Sequence, residues 1–287
     1  MIELVGAVLF SSVIFVLFKL FPKFGIDTFQ AIVFNYFTAC ICGILLYGNS
    51  WSQKALENND WMIWAVISGI LFISLFVLMG KSSQLNGVAL TSVSVKMSMA
   101  ISAIFIGIGE EFGLIKISGI LFAVLGVLLV SFDNSDSSKT KSIWMLLILF
   151  FGSGLLDFAL NFVQKYHLSD LSASLFSAIG FGIAGLFGGI LLTQSIIRKK
   201  TSFELKNVFA GICLGIPNYF SIYLLISAYS TTGWSDSTVL SVVNVSIVII
   251  SALLGFIAFQ ESASKQKIVG LLSAISAIFL LYFSNYS

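Results

Sequence analysis

Residues 88–130 read VALTSVSVKMSMAISAIFIGIGEEFGLIKISGILFAVLGVLLV, and residues 238–281 read TVLSVVNVSIVIISALLGFIAFQESASKQKIVGLLSAISAIFLL. Each is an apolar span dotted with serine, then a polar break carrying a glutamate (Glu111, Glu261) and a lysine shortly after it (Lys116, Lys267). A glycine follows three residues on (Gly119, Gly270), and a second apolar span completes the unit. Setting Glu111 against Glu261 places Thr91 and Ser94 opposite Ser241 and Asn244, and a one-residue insertion restores the Lys–Gly match. One two-helix hairpin is thus used twice in a single chain, the mark of an architecture assembled from repeated units.

Composition sets the class. Of 287 residues, 58% are hydrophobic and 10% charged, and the mean hydropathy is +1.03; soluble domains carry about a quarter charged residues. A helix needs ~20 mostly apolar residues to cross a bilayer. Ten such runs lie near 3–20, 29–48, 61–80, 88–108, 113–132, 143–164, 172–193, 208–228, 238–258 and 267–284, leaving short connectors and no soluble domain. Strands of a membrane barrel would instead alternate polar and apolar over ~10 residues. The expectation is an all-α polytopic membrane protein of ten transmembrane helices. Its first span lacks a basic start and a clear small-residue cleavage site, and so reads as an uncut anchor.

The polar stretch 133–142, DNSDSSKTKS, divides the chain into 1–132 and 143–287 with five spans each. The halves also agree at their starts: Lys23 falls opposite Lys165, and Ser11, Phe15 and Lys19 fall opposite Ser153, Asp157 and Asn161. An odd number of spans per half forces the second half into the opposite orientation, hence two inverted repeats around a shared central cavity. Connectors 1–2, 3–4, 5–6, 7–8 and 9–10 with their flanks hold eleven lysines and arginines, and the other side holds Lys54, Lys116 and Lys165. That bias predicts cytoplasmic odd-to-even connectors, both termini outside and an inner-membrane location. The cluster from Arg198 to Lys206 reads as an orientation anchor in a solvated loop.

Charges inside spans are the candidates for function. Lys96 stands about eight residues into span 4, roughly 12 Å along the axis. A lysine near the bilayer centre costs on the order of 2.5–3.5 kcal/mol, so it should face an interior cavity or a partner. It reads as a docking charge for a carboxylate or phosphate; a structural ion pair and a snorkelling side chain are the alternatives. The repeat puts Lys96 opposite Ser246, about 200° round the helix from Ser94, so pattern alone does not fix the inward side. Asp157 belongs to a stripe with Ser153 and Asn161 at four-residue spacing, which must face protein or water. It is a candidate for proton or cation coupling, for pairing with Lys96 or Lys19, or for substrate contact.

Span 9 adds Ser241, Asn244 and Ser251, and span 8 adds Asn218, Tyr219, Tyr223 and Ser227, side chains that suit a ligand of mixed polarity or helix–helix hydrogen bonds. Pro217 is the expected kink in span 8. Gly185 and Gly189 in span 7 give a Gly-x-x-x-Gly spacing that favours close helix contact. Cys40 and Cys42 point to different faces of one helix and Cys213 is remote in sequence, so all three read as packing residues and no metal site is expected. The sequence contains no His-Glu-x-x-His, Gly-x-Ser-x-Gly or phosphate loop, and the single histidine, His167, falls in a connector. No enzyme chemistry and no cofactor follow. The net charge of +2 leaves no nucleic-acid footprint.

Ten spans arranged as five plus five, with a hairpin carrying Glu before a Lys- and Gly-led final span, resemble the drug/metabolite transporter superfamily of the EamA type. The resemblance covers nearly the whole chain and is strongest at 88–132 and 238–284. It implies a basket of spans 1–4 and 6–9 around a central cavity, with spans 5 and 10 outside. By that likeness Lys96, Thr91, Ser94, Ser241 and Asn244 come from cavity-lining spans, as do Asp157, Asn161, Tyr219 and Tyr223. The expected function is secondary transport, by alternating access, of a small polar or amphipathic metabolite, with export of an amino-acid-like compound as the case considered. An exporter of cationic drugs or quaternary amines, and a membrane-embedded interaction or sensory protein without transport, are the alternatives.

Overall fold

The computed structural model describes residues 1–47, 60–106, 113–131, 142–166, 172–234, 236–262 and 264–283. Among them the elements are α1 (Ile2–Leu20), α2 (Thr28–Tyr47), α3 (Trp61–Leu85), α4a (Val88–Met97) and α4b (Met99–Ile106). They continue with α5 (Leu114–Ser131), α6 (Ile143–Tyr166), α7 (Ala173–Ile197), α8 (Leu205–Thr231), α9 (Asp236–Ile257) and α10 (Lys265–Phe283). Eight helices among the described residues are long and apolar enough to cross a membrane, and two shorter apolar helices occupy Val88–Ser102 and Leu114–Leu129. This is a multi-pass integral membrane protein, helical because hydrocarbon offers no partner for free backbone groups. Glu110, Glu111, His167 and nearly all of the 133–142 linker lie outside the described residues.

The helices close on one another in a ring. α1 lies against α8, α8 against α2, α2 against α7, and α7 against α3; α3 then meets α6, α6 meets both pieces of α4, α4a meets α9, and α9 returns to α1. α5 and α10 pair with each other outside this ring. Small residues make the approaches possible, as expected where packing rather than the hydrophobic effect joins helices. A Cβ on Gly126 of α5 would sit 3.0 Å from both the Ala274 nitrogen and the Gly270 oxygen of α10, and one on Gly119 would sit 3.0 Å from the Leu281 nitrogen. The repeated glycines therefore belong to one crossing. In the α2–α7 pair, Gly185 leaves room for the Phe37 ring and Gly182 for the Cys40 sulfur. α8 runs through Pro217 as one helix.

Among the described residues, the odd-to-even connections gather at one face, the 5–6 connection represented there by Ser142. The amide of Asp27 donates to Asn207 Oδ1 at 2.9 Å, and Gln30 Nε2 donates to the Ser202 carbonyl at 2.7 Å. Gln84 Nε2 donates to Thr28 Oγ1 at 2.7 Å, and the Ser142 amide donates to Asn86 Oδ1 at 3.0 Å. α1 and α3, on opposite sides of the ring, meet at this same face, where Phe18 packs on Phe76 with centroids 5.0 Å apart and Gly80 admits the Phe18 ring. The ring is pinched there by this contact.

Substituting Gly126 by Val tests the outer crossing. It should lower the thermal stability of the detergent-solubilised protein by about 1–3 kcal/mol through overpacking against α10 backbone. Leu125→Val, on the exposed side of the same helix, should cost less than half as much in the same melt; equal losses would contradict the crossing.

Candidate functional site

α4 is interrupted at Ser98, midway along the span, with one helix ending at Met97 and another beginning at Met99. Breaking a helix in apolar surroundings frees backbone groups that must be satisfied locally. The Ser98 carbonyl accepts the Ile101 amide at 2.9 Å and the Ser102 amide at 3.2 Å, restarting the helix. The fully buried Ser98 hydroxyl lies 2.6 Å from the Val95 carbonyl oxygen and 3.2 Å from Asp157 Oδ2. Interrupted helices are where many membrane carriers concentrate polar chemistry.

Asp157 reaches the break because α6 comes unusually close to it. A Cβ on Gly154 would stand 2.8 Å from the Ser98 carbonyl oxygen and 2.5 Å from Ile101 Cβ. Glycine at 154 thus lets the two backbones touch, and Asp157, three residues on, presents its carboxylate to Ser98. The residue is about 14 positions past the start of α6, on the order of 21 Å along the axis. Lys96, two residues before the break, interacts electrostatically with Asp157. No direct ion pair joins them among the described residues. Asp157 is exposed and Lys96 half-buried.

The other expected residues divide. Asn244 of α9 is buried and directs Nδ2 to the Met99 sulfur at 3.6 Å, so it touches the restart of α4. Ser94 is buried and its hydroxyl has no hydrogen-bond partner among the described residues, and Ser241 is buried on α9, which packs on α4a. Thr91 is occupied: its hydroxyl donates to the Gly87 carbonyl at 2.7 Å and lies 2.8 Å from Ser82 Oγ of α3. Tyr219 and Tyr223 stack on each other with centroids 6.3 Å apart, on α8 beside α1 and α2 rather than at the break. The Tyr219 ring fills the space that Gly43 leaves in α2. The side chain of Asn161 lies outside the described residues.

Sequence reading missed Ser98, Met99 and Gly154, and it missed what Glu261 does. Ser98 follows Ser94 by one turn and Lys96 by two residues, a signal diluted by the serines around it. Gly154 precedes Asp157 by three residues, a spacing that puts them on one face.

Glu261 stands at the pinched face. Its Oε1 accepts the Val88 amide at 2.7 Å and its Oε2 the Ala89 amide at 3.3 Å, so the 9–10 connector caps α4a across 173 residues of chain. Lys19 Nζ lies 3.8 Å from the same carboxylate and donates to the Gln84 carbonyl at 3.2 Å. An anion at a helix N-terminus meets unpaired amides and the positive end of the helix dipole. The repeated Lys267, almost fully buried, donates to the Ser262 carbonyl at 2.8 Å and secures the same connector.

No family model matches the chain. An uncharacterized protein of Haemophilus influenzae is 29% identical over 292 residues, covering 98% of this chain and 97% of the relative. One crystal structure of a protein superposes with a TM-score of 0.57 over 96% of each chain at 11% identity. At that identity the likeness speaks for the fold alone.

Gly87 offers a test of the cap. Its φ of +100° and that of Gly233 at +70° both disfavour other residues, but only at Gly87 would a Cβ meet the Glu261 carboxylate, at 2.6 Å. Ala at either site should cost on the order of 1–3 kcal/mol from backbone strain. Gly87→Ala should melt measurably below Gly233→Ala because it also expels Glu261. Matching melting temperatures would show that the cap adds nothing.

Proposed function

We propose that the chain is a secondary transporter of a small polar or amphipathic metabolite, working by alternating access, with an amino-acid-like solute as the best fit. The observation that carries this reading is the meeting of two charges at the interruption of α4, an exposed Asp157 on α6 and a half-buried Lys96 on α4a, midway along their spans. Lys96 binds an anionic group of the solute, Asn244 and Ser94 supply polar contacts, and Asp157 reads a cation or carries a proton. Nothing in this scheme calls for an enzyme's nucleophile or a cofactor. Its partners are the solute, the bilayer and a coupling ion.

The ring supports two inverted five-helix repeats. Exchanging α1 with α6, α2 with α7, α3 with α8 and α4 with α9 leaves every ring contact in place, and α5 exchanges with α10 in the outer pair. Together with two short helices that complete a count of ten, this supports kinship with the EamA-type drug/metabolite transporters. The pinched connector face supports a carrier closed on that side, with the charged pair reached from the other. By the lysine and arginine bias the closed side is cytoplasmic, both termini are outside, and the membrane is a bacterial inner membrane.

A second reading is favoured by one fact: Asp157 is the more exposed of the two charges. On it, the solute is a cation or quaternary amine and Lys96 a structural counter-charge. Proteoliposome uptake distinguishes the two. With a solute selected by thermal-shift screening, Lys96→Ala should raise the half-saturating concentration roughly tenfold to a hundredfold, the loss of a charged hydrogen bond. Asp157→Asn should chiefly remove the dependence on an imposed pH gradient. If Lys96→Ala transports normally while Asp157→Asn abolishes binding, the cation reading replaces the first. If neither changes transport, both fail.

A further inference from the structure

Away from the charged pair, a groove of about 690 Å³ opens on the protein surface between α2 and α7, lined by Phe34, Phe37, Leu186, Ile190 and Phe203 and reaching Arg198 at its end. Its depth has a sequence cause. Gly189 stands in the groove wall, and a Cβ there would meet nothing nearer than the Phe37 ring at 3.6 Å. Leu186 and Ile190 are 60% and 67% exposed, so the walls are apolar and uncovered by protein. In a bilayer such a channel is filled by acyl chain.

The end of the groove is not apolar. Thr193 and Gln194 line it, and Arg198, Lys199 and Lys200 follow in succession, all exposed. Lys199 adopts φ +54°, turning the chain directly after α7. Among the described residues none of these three cations is in an ion pair, while the neighbouring Glu204 is held by Lys206 at 2.7 Å. An apolar channel in the span thus ends, at the membrane boundary, in a cluster of cations and neutral hydrogen-bonding groups. Basic clusters at helix ends, on the side where lysine and arginine accumulate, recognise anionic headgroups.

We infer that this groove is a binding site for an anionic phospholipid, one acyl chain lying along α7 and the phosphate held by Arg198 with Lys199 and Lys200. The cations then do more than orient the chain in the membrane. They select one lipid from the bilayer and tie α2 to α7, a pair formed by one helix from each half.

Native mass spectrometry of the purified full chain, titrated in detergent with phosphatidylglycerol or phosphatidylcholine, tests the site. The first lipid bound should be phosphatidylglycerol, by at least tenfold in apparent affinity. Each cation removed should cost roughly fivefold, so that Arg198→Ala with Lys199→Ala and Lys200→Ala abolishes the preference. Lys206→Ala should leave it intact. Ile190→Trp, which fills the groove and keeps every cation, should also remove the bound lipid. Equal binding of the two lipids, or a preference that survives the triple substitution, would overturn the proposal. So would a preference lost in the triple variant but kept in Ile190→Trp, which would make the contact a surface charge effect without a groove.

Discussion

The contact between Ser98 and Asp157 is the point on which the architecture turns. The helix is irregular at Ser98 for one residue, which keeps φ −55° and ψ −21°, and a carboxylate at the same depth in hydrocarbon carries a cost of its own. Each tolerates the other. Asp157 accepts from Ser98 at 3.2 Å, the Ser98 carbonyl is taken up by two amides of α4b, and Lys96 supplies opposite charge nearby. Gly154 makes the meeting possible, since any larger residue would push α6 off the break. Four residues from two helices thus create a polar point in an apolar protein.

Around that point the molecule is asymmetric from one face to the other. At the connector face, α1 and α3 meet across the ring, and Glu261 links the 9–10 connector to α4a and to Lys19. Because α4a is capped at Val88 and interrupted ten residues later at Ser98, it is a short piece held at both ends by the second half of the chain: Glu261 at its start, α6 at its end. Lys96 lies on α4a and Asp157 on α6, so the two charges face each other across a contact between the halves of the chain. That coupling is what a carrier requires.

Much of this was legible in the residues. Apolar runs of ~20 announce membrane spans, eight of them long enough among the described residues, and the repeated Lys–Gly pattern proves to have a mechanical basis, glycines for the α5–α10 crossing and Lys267 for the connector. Lys96 and Asp157 stood out because charge is expensive in lipid. What stayed hidden was non-local. Glu261 and Val88 are 173 residues apart, and no periodicity links a glutamate in one connector to a helix start in another. Pro217 lies within a continuous α8, while the interruption of α4 falls at a serine among serines, against the close approach that Gly154 allows. Thr91 looked available from its spacing, but its hydroxyl is occupied by Gly87 and Ser82.

The account stands or falls on whether Asp157 is reached by water from inside the helix ring. In a variant lacking Cys40, Cys42 and Cys213, a cysteine at position 157 should react with a membrane-impermeant thiol reagent added to one side of sealed vesicles, the side opposite the connector face. Reaction from neither side, or only with reagents that dissolve in the bilayer, would mean that the pair lies in a dry contact and that no path for solute exists.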